Sequence, residues 1–349
     1  MKMDNHGFIA VHVGAGKYST KMIPQYEKLC RVACKKGIEM LNSGGNSLDA
    51  VTIATAILED SDLTNAGYGS NLTIDGKVEC DASIMNGNDL NFGAVGAVAG
   101  VKNPIILAKK ICCGQNEQME LGRIPPWCIF IYFLNTKCLG SGAYNLAQKY
   151  SDVRTVFPES LITRNAVKLH NRYKNQLLHY KNQSINLECD RLDTVGAIAI
   201  DQTGKTAAAC SSGGILLKQS GRIGQAAMYG CGCWAQDKIH SDNFGVAVTT
   251  SGCGEHIMKT VLAREIATGM IKSTAIPYSS SLKNIDSKLC GLLVLKCNDN
   301  DCEFMWAHTT PSMCIGYMST TSSSAKSRIS NLPSTAQPGK SVLVEGMLV

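Results

Sequence analysis

The sequence predicts a layered α+β fold, and three observations carry that expectation. Stretches with helical periodicity cluster apart from strand-like ones, whereas a parallel sheet would alternate strand and helix along the chain. The strand-like stretches are joined by short turns containing Gly, as antiparallel pairs require. Glycine supplies 33 of 349 residues, against a usual share of about 7%. Two sheets packed face to face under helices need small residues where the layers approach.

The elements follow in order. Phe8 to Val13 is a six-residue apolar run that reads as a first core strand entering the turn Gly14-Ala15-Gly16. A helix follows from Pro24 to Leu41, with Tyr26, Leu29, Cys30, Ala33, Ile38 and Leu41 on one face and Gly44-Gly45 closing it. Asn46 or Ser47 can cap a second helix through Leu58. Leu72 to Cys80 carries Asp75-Gly76 between apolar residues, a hairpin signal. Ala94 to Ala99 is a strand and Pro104 to Cys112 a helix. In the second half, Val195 to Ile200 and Thr206 to Cys210 flank Asp201-Gln-Thr-Gly204 as a hairpin. Gly245 to Thr249 is a strand, and Glu255 to Ile271 one helix. Gly291 to Lys296, Glu303 to Ala307 and Met313 to Met318 are late strands. Trp127 to Leu134, dense in aromatic and β-branched residues after Pro125-Pro126, has no natural slot in this scheme.

Composition narrows the class. The 16 cysteines contain no C-x-x-C pair, so a zinc site is not expected. The Phe8 to Val13 run is too short for a signal sequence, and no stretch approaches the roughly 18 apolar residues of a membrane span. Reduced thiols in an intracellular protein, cytoplasmic or nuclear, are the expectation. The net charge of +6 is partly concentrated between residues 161 and 190, where Arg164, Lys168, Arg172, Lys174 and Lys181 precede any acid. That stretch reads as a solvated helix face or linker, or as a surface for nuclear import or an acidic partner. No nucleic acid, membrane, metal or cofactor is implied.

Common chemical signatures are missing. Gly14-Ala-Gly16-Lys-Tyr-Ser19 lacks the third glycine of a dinucleotide loop, no G-x-S-x-G elbow occurs, and no two histidines form an H-x-x-x-H pair. Asn71 and Asn182 begin glycosylation-type triplets, which a reduced intracellular chain would not expose to that machinery. The unusual region is Leu192 to Ala197, followed by Ser211-Ser-Gly-Gly214, Gly221-Arg-Ile-Gly-Gln225 and Ser251-Gly-Cys-Gly-Glu255. Small-polar turns after strands can converge on a pocket, offering N–H groups to an oxyanion and Arg222 to a carboxylate. Spacing alone leaves open that they only link strands.

Read together, these stretches resemble the type 2 asparaginase family of N-terminal-nucleophile hydrolases. The similarity runs through Val11-His-Val-Gly-Ala-Gly16, Thr64-Asn-Ala-Gly-Tyr-Gly-Ser-Asn71, Glu79-Cys-Asp-Ala-Ser-Ile-Met85, Asn91-Phe-Gly-Ala-Val-Gly96, Gly122-Arg-Ile-Pro-Pro126, Leu192-Asp-Thr-Val-Gly-Ala197, Gly221 to Ala235, Thr250-Ser-Gly-Cys-Gly-Glu-His256 and His308-Thr-Thr310. The resemblance implies a four-layer αββα sandwich, a single domain spanning 1–349, and self-cleavage between Asp193 and Thr194 into chains 1–193 and 194–349. It implies Thr194 as nucleophile and the Ser251 hydroxyl and Gly252 N–H as oxyanion donors, with Gly254 in the same turn. Ser212 would be a second hydroxyl at the nucleophile, Arg222 a carboxylate clamp, and Asn65 part of a loop steadying the nucleophile.

Within the family the chain resembles the taspase branch, which implies an endopeptidase cutting proteins after an internal Asp. Two residues carry that expectation. Gln225 stands where an asparaginase places an Asp for the substrate ammonium, and Asp193 stands where those enzymes usually carry Gly. Leu/Val-Asp-Gly sites in nuclear regulators of transcription would be the substrates, and αβ heterodimers pairing to α2β2 the assembly. The alternatives are an L-asparaginase or isoaspartyl peptidase, and a non-catalytic binding protein on the same fold. Trp127 to Lys137 is inserted relative to the taspase pattern, and the 161–190 linker is shorter and less basic than that branch's loop.

Overall fold

In a computed structural model of the chain, the described residues are 6–114, 129–130, 139–179, 193–238, 244–272, 285, 287–298 and 301–349. The fold is mixed α/β, with two sheets and, among the described residues, seven α-helices. The larger sheet has the order β12-β11-β1-β5-β6-β2-β3-β4. Its strands are β1 (Phe8–Gly16), β2 (Cys80–Asn86), β3 (Phe92–Val98), β4 (Ile129–Phe130), β5 (Val195–Ile200), β6 (Thr206–Ser212), β11 (Ser312–Ser319) and β12 (Lys326–Asn331). All its pairings are antiparallel except β3 with β4. The smaller sheet, β13-β10-β9-β8-β7, is antiparallel throughout. It contains β7 (Cys233–Gln236), β8 (Gly245–Gly252), β9 (Cys290–Cys297), β10 (Cys302–His308) and β13 (Leu343–Leu348).

The period-two alternation of a strand gives the larger sheet two apolar faces. Ile9, Val11 and Val13 of β1 share a core with Cys30, Ala33, Ile38 and Leu41 of α1 (Ile23–Asn42), Val51 and Ala54 of α2 (Ser47–Glu59), and Ile105 and Ala108 of α3 (Pro104–Gly114). Phe8 and Ala10 point the other way and pack with Val246, Val248, Leu293 and Leu295 of the smaller sheet. Ala263, Ile266 and Ala267 of α7 (Leu262–Lys272) join that second core. Where the two sheets touch beside β5, a Cβ on Gly196 would lie 2.1 Å from Thr249 Oγ1 and 2.5 Å from His12 Nε2. Only glycine admits that approach, and this is one place where the glycine excess is used.

Local chemistry accounts for the elements that match expectation. Asn46 caps α2 in a capping box: its side chain accepts from Asp49 N at 2.9 Å, while Asp49 Oδ2 accepts from Asn46 N. Such a cap is worth about 1 kcal/mol. β5 and β6 form the expected hairpin around Asp201, whose carboxylate accepts from Thr203 N, Lys205 N and, across the fold, Ser47 N.

Other expectations are corrected. The single helix over 255–271 is two, α6 (Gly254–Thr260) and α7, separated by Val261 at φ +48°. A β-branched residue rarely adopts that conformation, and tertiary contacts hold it there. Arg264 N donates to Gly230 O at 3.0 Å, and the Arg264 guanidinium lies over the Trp234 ring. The Asp75-Gly76 segment is a tight turn with a single bridge, Leu72 to Val78, and no paired strands. Its backbone is drawn elsewhere, Leu217 N donating to Leu72 O and Ile74 N to Lys218 O.

The thiols are not all free. Cys297 and Cys302 form a disulfide across the β9–β10 pair. The eleven other described cysteines are free and eight of them are buried. The basic stretch begins as a 3-10 turn, Pro158–Leu161, and becomes α5 (Arg164–His179), which buries Ala166 and His170 and leaves Arg164, Lys168, Arg172 and Lys174 exposed. That is the solvated helix face among the readings of the sequence. Lys181 and the rest of the linker to 190 lie outside the described residues, as does the 127–137 insertion apart from β4. Among the described residues no helix is long and apolar enough to cross a membrane.

Candidate active site

Thr194 stands directly before β5, a central strand of the larger sheet, and is 4% exposed. Antiparallel pairing brings the ends of its neighbours to the same edge. Val195 faces Ser211 near the end of β6, and Ser212 faces Asp81 at the start of β2. From the smaller sheet, β8 ends at the same level in Ser251 and Gly252. The resulting pocket is lined by Asn65, Asp193, Thr194, Ser212, Gly214, Ile215, Arg222, Gln225, Gly252 and Gly254.

The Thr194 hydroxyl sits between two polar groups. It donates to Ser212 Oγ at 3.1 Å, and Gln225 Nε2 donates to it at 3.1 Å. Ser212 Oγ also accepts from Gly214 N at 3.0 Å. The loop after α2 holds the residue before Thr194, Asn65 N donating to Asp193 O at 3.3 Å. The Asn65 amide is itself fixed, Nδ2 donating to Gly214 O at 2.8 Å and Oδ1 accepting from Asn71 N at 2.8 Å. Ser251 is fully buried behind Gly252, and its Oγ accepts from Ala15 N at 3.2 Å. Gly252 has φ +133°, and a Cβ there would meet Leu289 O at 2.5 Å, so this turn requires glycine.

Charge is arranged on one side of the pocket. The Arg222 guanidinium pairs with the Glu255 carboxylate. Partial burial raises the Glu255 carboxyl, but its own backbone N–H and Arg222 outweigh that and hold it below the ordinary value. Beneath the Arg222 loop lies Asp81, fully buried, accepting from Gly224 N and from Ala97 N, each at 2.8 Å. Burial raises its carboxyl, opposed by Lys218, those two N–H groups and Arg222. Lys218 is 2% exposed and donates from Nζ to Glu79 O at 2.8 Å.

Two other buried titratable groups flank β5. His12 reaches Thr249 Oγ1 at 3.3 Å, and burial pushes its imidazole down to about 3 against the raising effect of the Thr194 backbone. It is therefore neutral at working pH. Glu59 Oε1 accepts from Ser211 Oγ at 2.7 Å and Ile105 N at 3.1 Å. Burial pushes its carboxyl up to about 8, against the lowering effect of these hydrogen bonds.

A carboxyl raised from 4.5 to about 8 holds a proton in the folded state that the unfolded chain has lost. Its contribution is complete below the unfolded value and disappears as pH rises through about 8. His12 runs oppositely, but above the ordinary imidazole value of 6.5 its contribution no longer changes. Between about pH 6.5 and 8 the wild type should lose stability as pH rises. Glu59→Gln should flatten that slope. Urea midpoints of both proteins across this window check it, and equal slopes would refute the assignment.

Eight of the nine residues singled out from the sequence line the pocket, and Ser251 lies immediately behind it. The cysteines nearby are not placed as reactive groups. Burial pushes Cys231 up to about 11 and Cys233 up to about 12, so both are thiols at neutral pH. His308, in a motif that drew attention, instead ties strands together, its Nε2 meeting Ser330 Oγ at 3.1 Å while Ser330 donates to Glu345. Sequence reasoning missed Asp81, Lys218, His12 and Glu255. Asp81, His12 and Glu255 sit inside quoted motifs and Lys218 just beyond a Gly-Gly turn, but their roles depend on tertiary contacts.

The asparaginase family model matches residues 5–122 and 135–326 of the chain. The chain belongs to the asparaginase family. The match omits 123–134, which takes in most of the Trp127 to Lys137 stretch. An isoaspartyl peptidase/L-asparaginase of Xenopus laevis is 37% identical over 260 residues, 74% of each chain. An isoaspartyl peptidase of Salmonella typhimurium is 34% identical over 271 residues, 75% of this chain and 78% of its own. The isoaspartyl peptidase/L-asparaginase of Macaca fascicularis is 33% identical over 308 residues, 86% of this chain and 90% of its own.

These relatives overturn the expectation of a taspase-type endopeptidase cutting after internal Asp. The site explains why Gln225 misled. In the folded pocket the Gln225 amide donates from Nε2 to Thr194 Oγ1, so the residue orients that hydroxyl whatever the substrate. The identity of one wall residue does not decide the substrate class.

Proposed function

We propose that this asparaginase-family hydrolase opens its own chain at Asp193–Thr194 and then hydrolyses the side-chain amide of L-asparagine or of β-aspartyl peptides. The observation that supports this most is the Thr194 hydroxyl, held at 3.1 Å from both Ser212 Oγ and Gln225 Nε2 on a pocket wall that includes Arg222. The related isoaspartyl peptidases and L-asparaginases supply the substrate class.

The chemistry follows from the position of the nucleophile. In the intact chain Thr194 N is an amide and has no basicity. Scission turns it into an α-amine with an ordinary pKa of about 7.7–8.0, near enough to neutrality to accept the hydroxyl proton. Thr194 Oγ then attacks the β-carbonyl of the substrate. Negative charge developing on that oxygen is assigned to the Gly252 N–H and the Ser251 hydroxyl, fixed in advance by the β8 turn. The Thr194 ammonium returns its proton to the leaving amine or ammonia, leaving a β-aspartyl ester on Oγ. Water, deprotonated by the same amine, releases aspartate. Arg222 takes a substrate carboxylate. The packing of helices and sheets supports the αββα sandwich of N-terminal-nucleophile hydrolases as the frame for these steps.

The test is to assay the matured protein for ammonia release from L-asparagine and for leucine release from β-aspartyl-leucine. Turnover of either, with an α-linked Leu-Asp-Gly peptide left whole, is the expected result. Cleavage of the Leu-Asp-Gly peptide alone would refute the proposal.

A further inference from the structure

The pocket poses a charge problem. The α-carbon of an amino-acid substrate bears a carboxylate and an ammonium side by side. Arg222 answers the first, but the wall residue beside it, Gln225, is neutral. Its Nε2 donates to Thr194 Oγ1, and its Oε1, packed against Gly254, carries no charge to pair with an ammonium.

The nearby carboxylates are not equivalent. Asp81 is fully buried and already accepts from Gly224 N and Ala97 N. Asp193 belongs to the bond that maturation opens, with its carbonyl held by Asn65 N. Glu255 differs from both. It follows pocket-lining Gly254 in the first turn of α6, its side chain is 50% exposed, and its carboxylate already pairs with the Arg222 guanidinium. The Arg222 side chain is only 21% exposed. Its loop is pinned from below, Gly221 N donating to Glu79 Oε2 at 2.7 Å and Gly224 N to Asp81. The cation is therefore fixed at the pocket, while the anion beside it, whose Oε2 accepts a weak hydrogen bond from Cys253 Sγ at 3.5 Å, is half exposed to solvent.

We propose that Arg222 and Glu255 form a clamp for an α-amino-acid head group, with Glu255 the specificity-determining residue that selects ligands carrying a free α-ammonium. The proposal deepens the asparagine and β-aspartyl reading and rests on it for its substrate class. With the pocket empty, the two side chains satisfy each other. A zwitterion entering between them replaces one ion pair by two, carboxylate on Arg222 and ammonium on Glu255, with no net charge left over. A ligand lacking the ammonium has to compete with Glu255 for Arg222 and gains no second partner.

Binding of the product L-aspartate, compared with succinate, tests this without turnover, since succinate has the same two carboxylates and lacks only the amine. Calorimetry on the matured wild type should give tighter binding of L-aspartate, by about tenfold. In Glu255→Gln, L-aspartate should bind more weakly while succinate binds more tightly, because Arg222 is released from its partner. Glu255→Asp should keep the wild-type order of preference with a smaller gap. A merely structural role for Glu255 would weaken both ligands together, and that outcome would overturn the proposal, as would a wild type that does not prefer L-aspartate. Hydrolysis of L-asparagine by the wild type is scored separately. Turnover without the opposed shifts sinks the clamp and leaves the reaction; the opposed shifts without turnover do the reverse.

Discussion

Thr194→Ala is expected to keep the chain at its full 349 residues and to abolish hydrolysis, by at least about 10³-fold relative to the matured wild type. The two losses have one origin. In the proposed mechanism the same hydroxyl attacks the carbonyl of Asp193 during maturation and the substrate carbonyl afterwards, and the same residue supplies the amine that acts as base. Neither function passes to a neighbour. Ser212 Oγ is placed to accept from Thr194 and from Gly214 N, and the nearby thiols are held protonated by burial. Thr194→Ser preserves hydroxyl and amine and should self-cleave, more slowly, as the lost methyl frees the χ1 rotation that β-branching restricts. Intact mass over several days of incubation reads the first outcome. Scission of the Ala variant at the same bond would remove Thr194 from the chemistry.

Arg222→Ala should have the next largest effect, a loss of about 10²-fold in kcat/KM for L-asparagine. That corresponds to about 3 kcal/mol, the upper range for a hydrogen bond to a charged group. The loss should fall mainly on KM, because the carboxylate it holds is present in ground and transition states alike. The variant also leaves the Glu255 carboxylate unpaired at the pocket, adding repulsion to the lost attraction. Self-cleavage should persist, since the Thr194 hydroxyl is held by Ser212 and Gln225 rather than by Arg222. Steady-state kinetics on the matured variant separate the terms, and a kcat collapse at unchanged KM would place Arg222 in a different role.

How much of this was legible in the sequence depends on where the determining contacts lie. β1, α1, α2 and the β5–β6 hairpin are set by local pattern, a six-residue apolar run, helical spacing, an Asn46 cap and a Gly204 turn, and they stand where the pattern puts them, except that β1 runs on through Gly14-Ala15-Gly16, where a turn was expected, because Ala15 and Gly16 pair with Met313 and Ser312. The break at Val261 was not legible, because it is imposed by Gly230 and Trp234 from another segment. β12 and β13 escaped notice for a different reason. They are sheet edges, β12 with one buried residue in six and β13 with none, so neither carries much of a hydrophobic signal.

The site divides in the same way. Its glycine-rich turns suggested convergence, and the motif resemblance gave them order, but the spacing could not choose between a pocket and a set of linkers. Asp81, Lys218 and Glu255 act through partners 16 to 143 residues away in sequence, which no local window contains. The substrate class was misread because Gln225 was judged by its charge alone. Its hydrogen bond to Thr194 Oγ1 is a property of the folded pocket.

The central claim is that Thr194 carries the acyl group during hydrolysis of a β-aspartyl bond. It is tested most directly by quenching the matured protein in acid during turnover of β-aspartyl-leucine and taking intact masses of both chains. A mass gain of one aspartyl group on chain 194–349, localised to its N-terminal residue, is the predicted result. Turnover accompanied by an adduct on any other residue would contradict it.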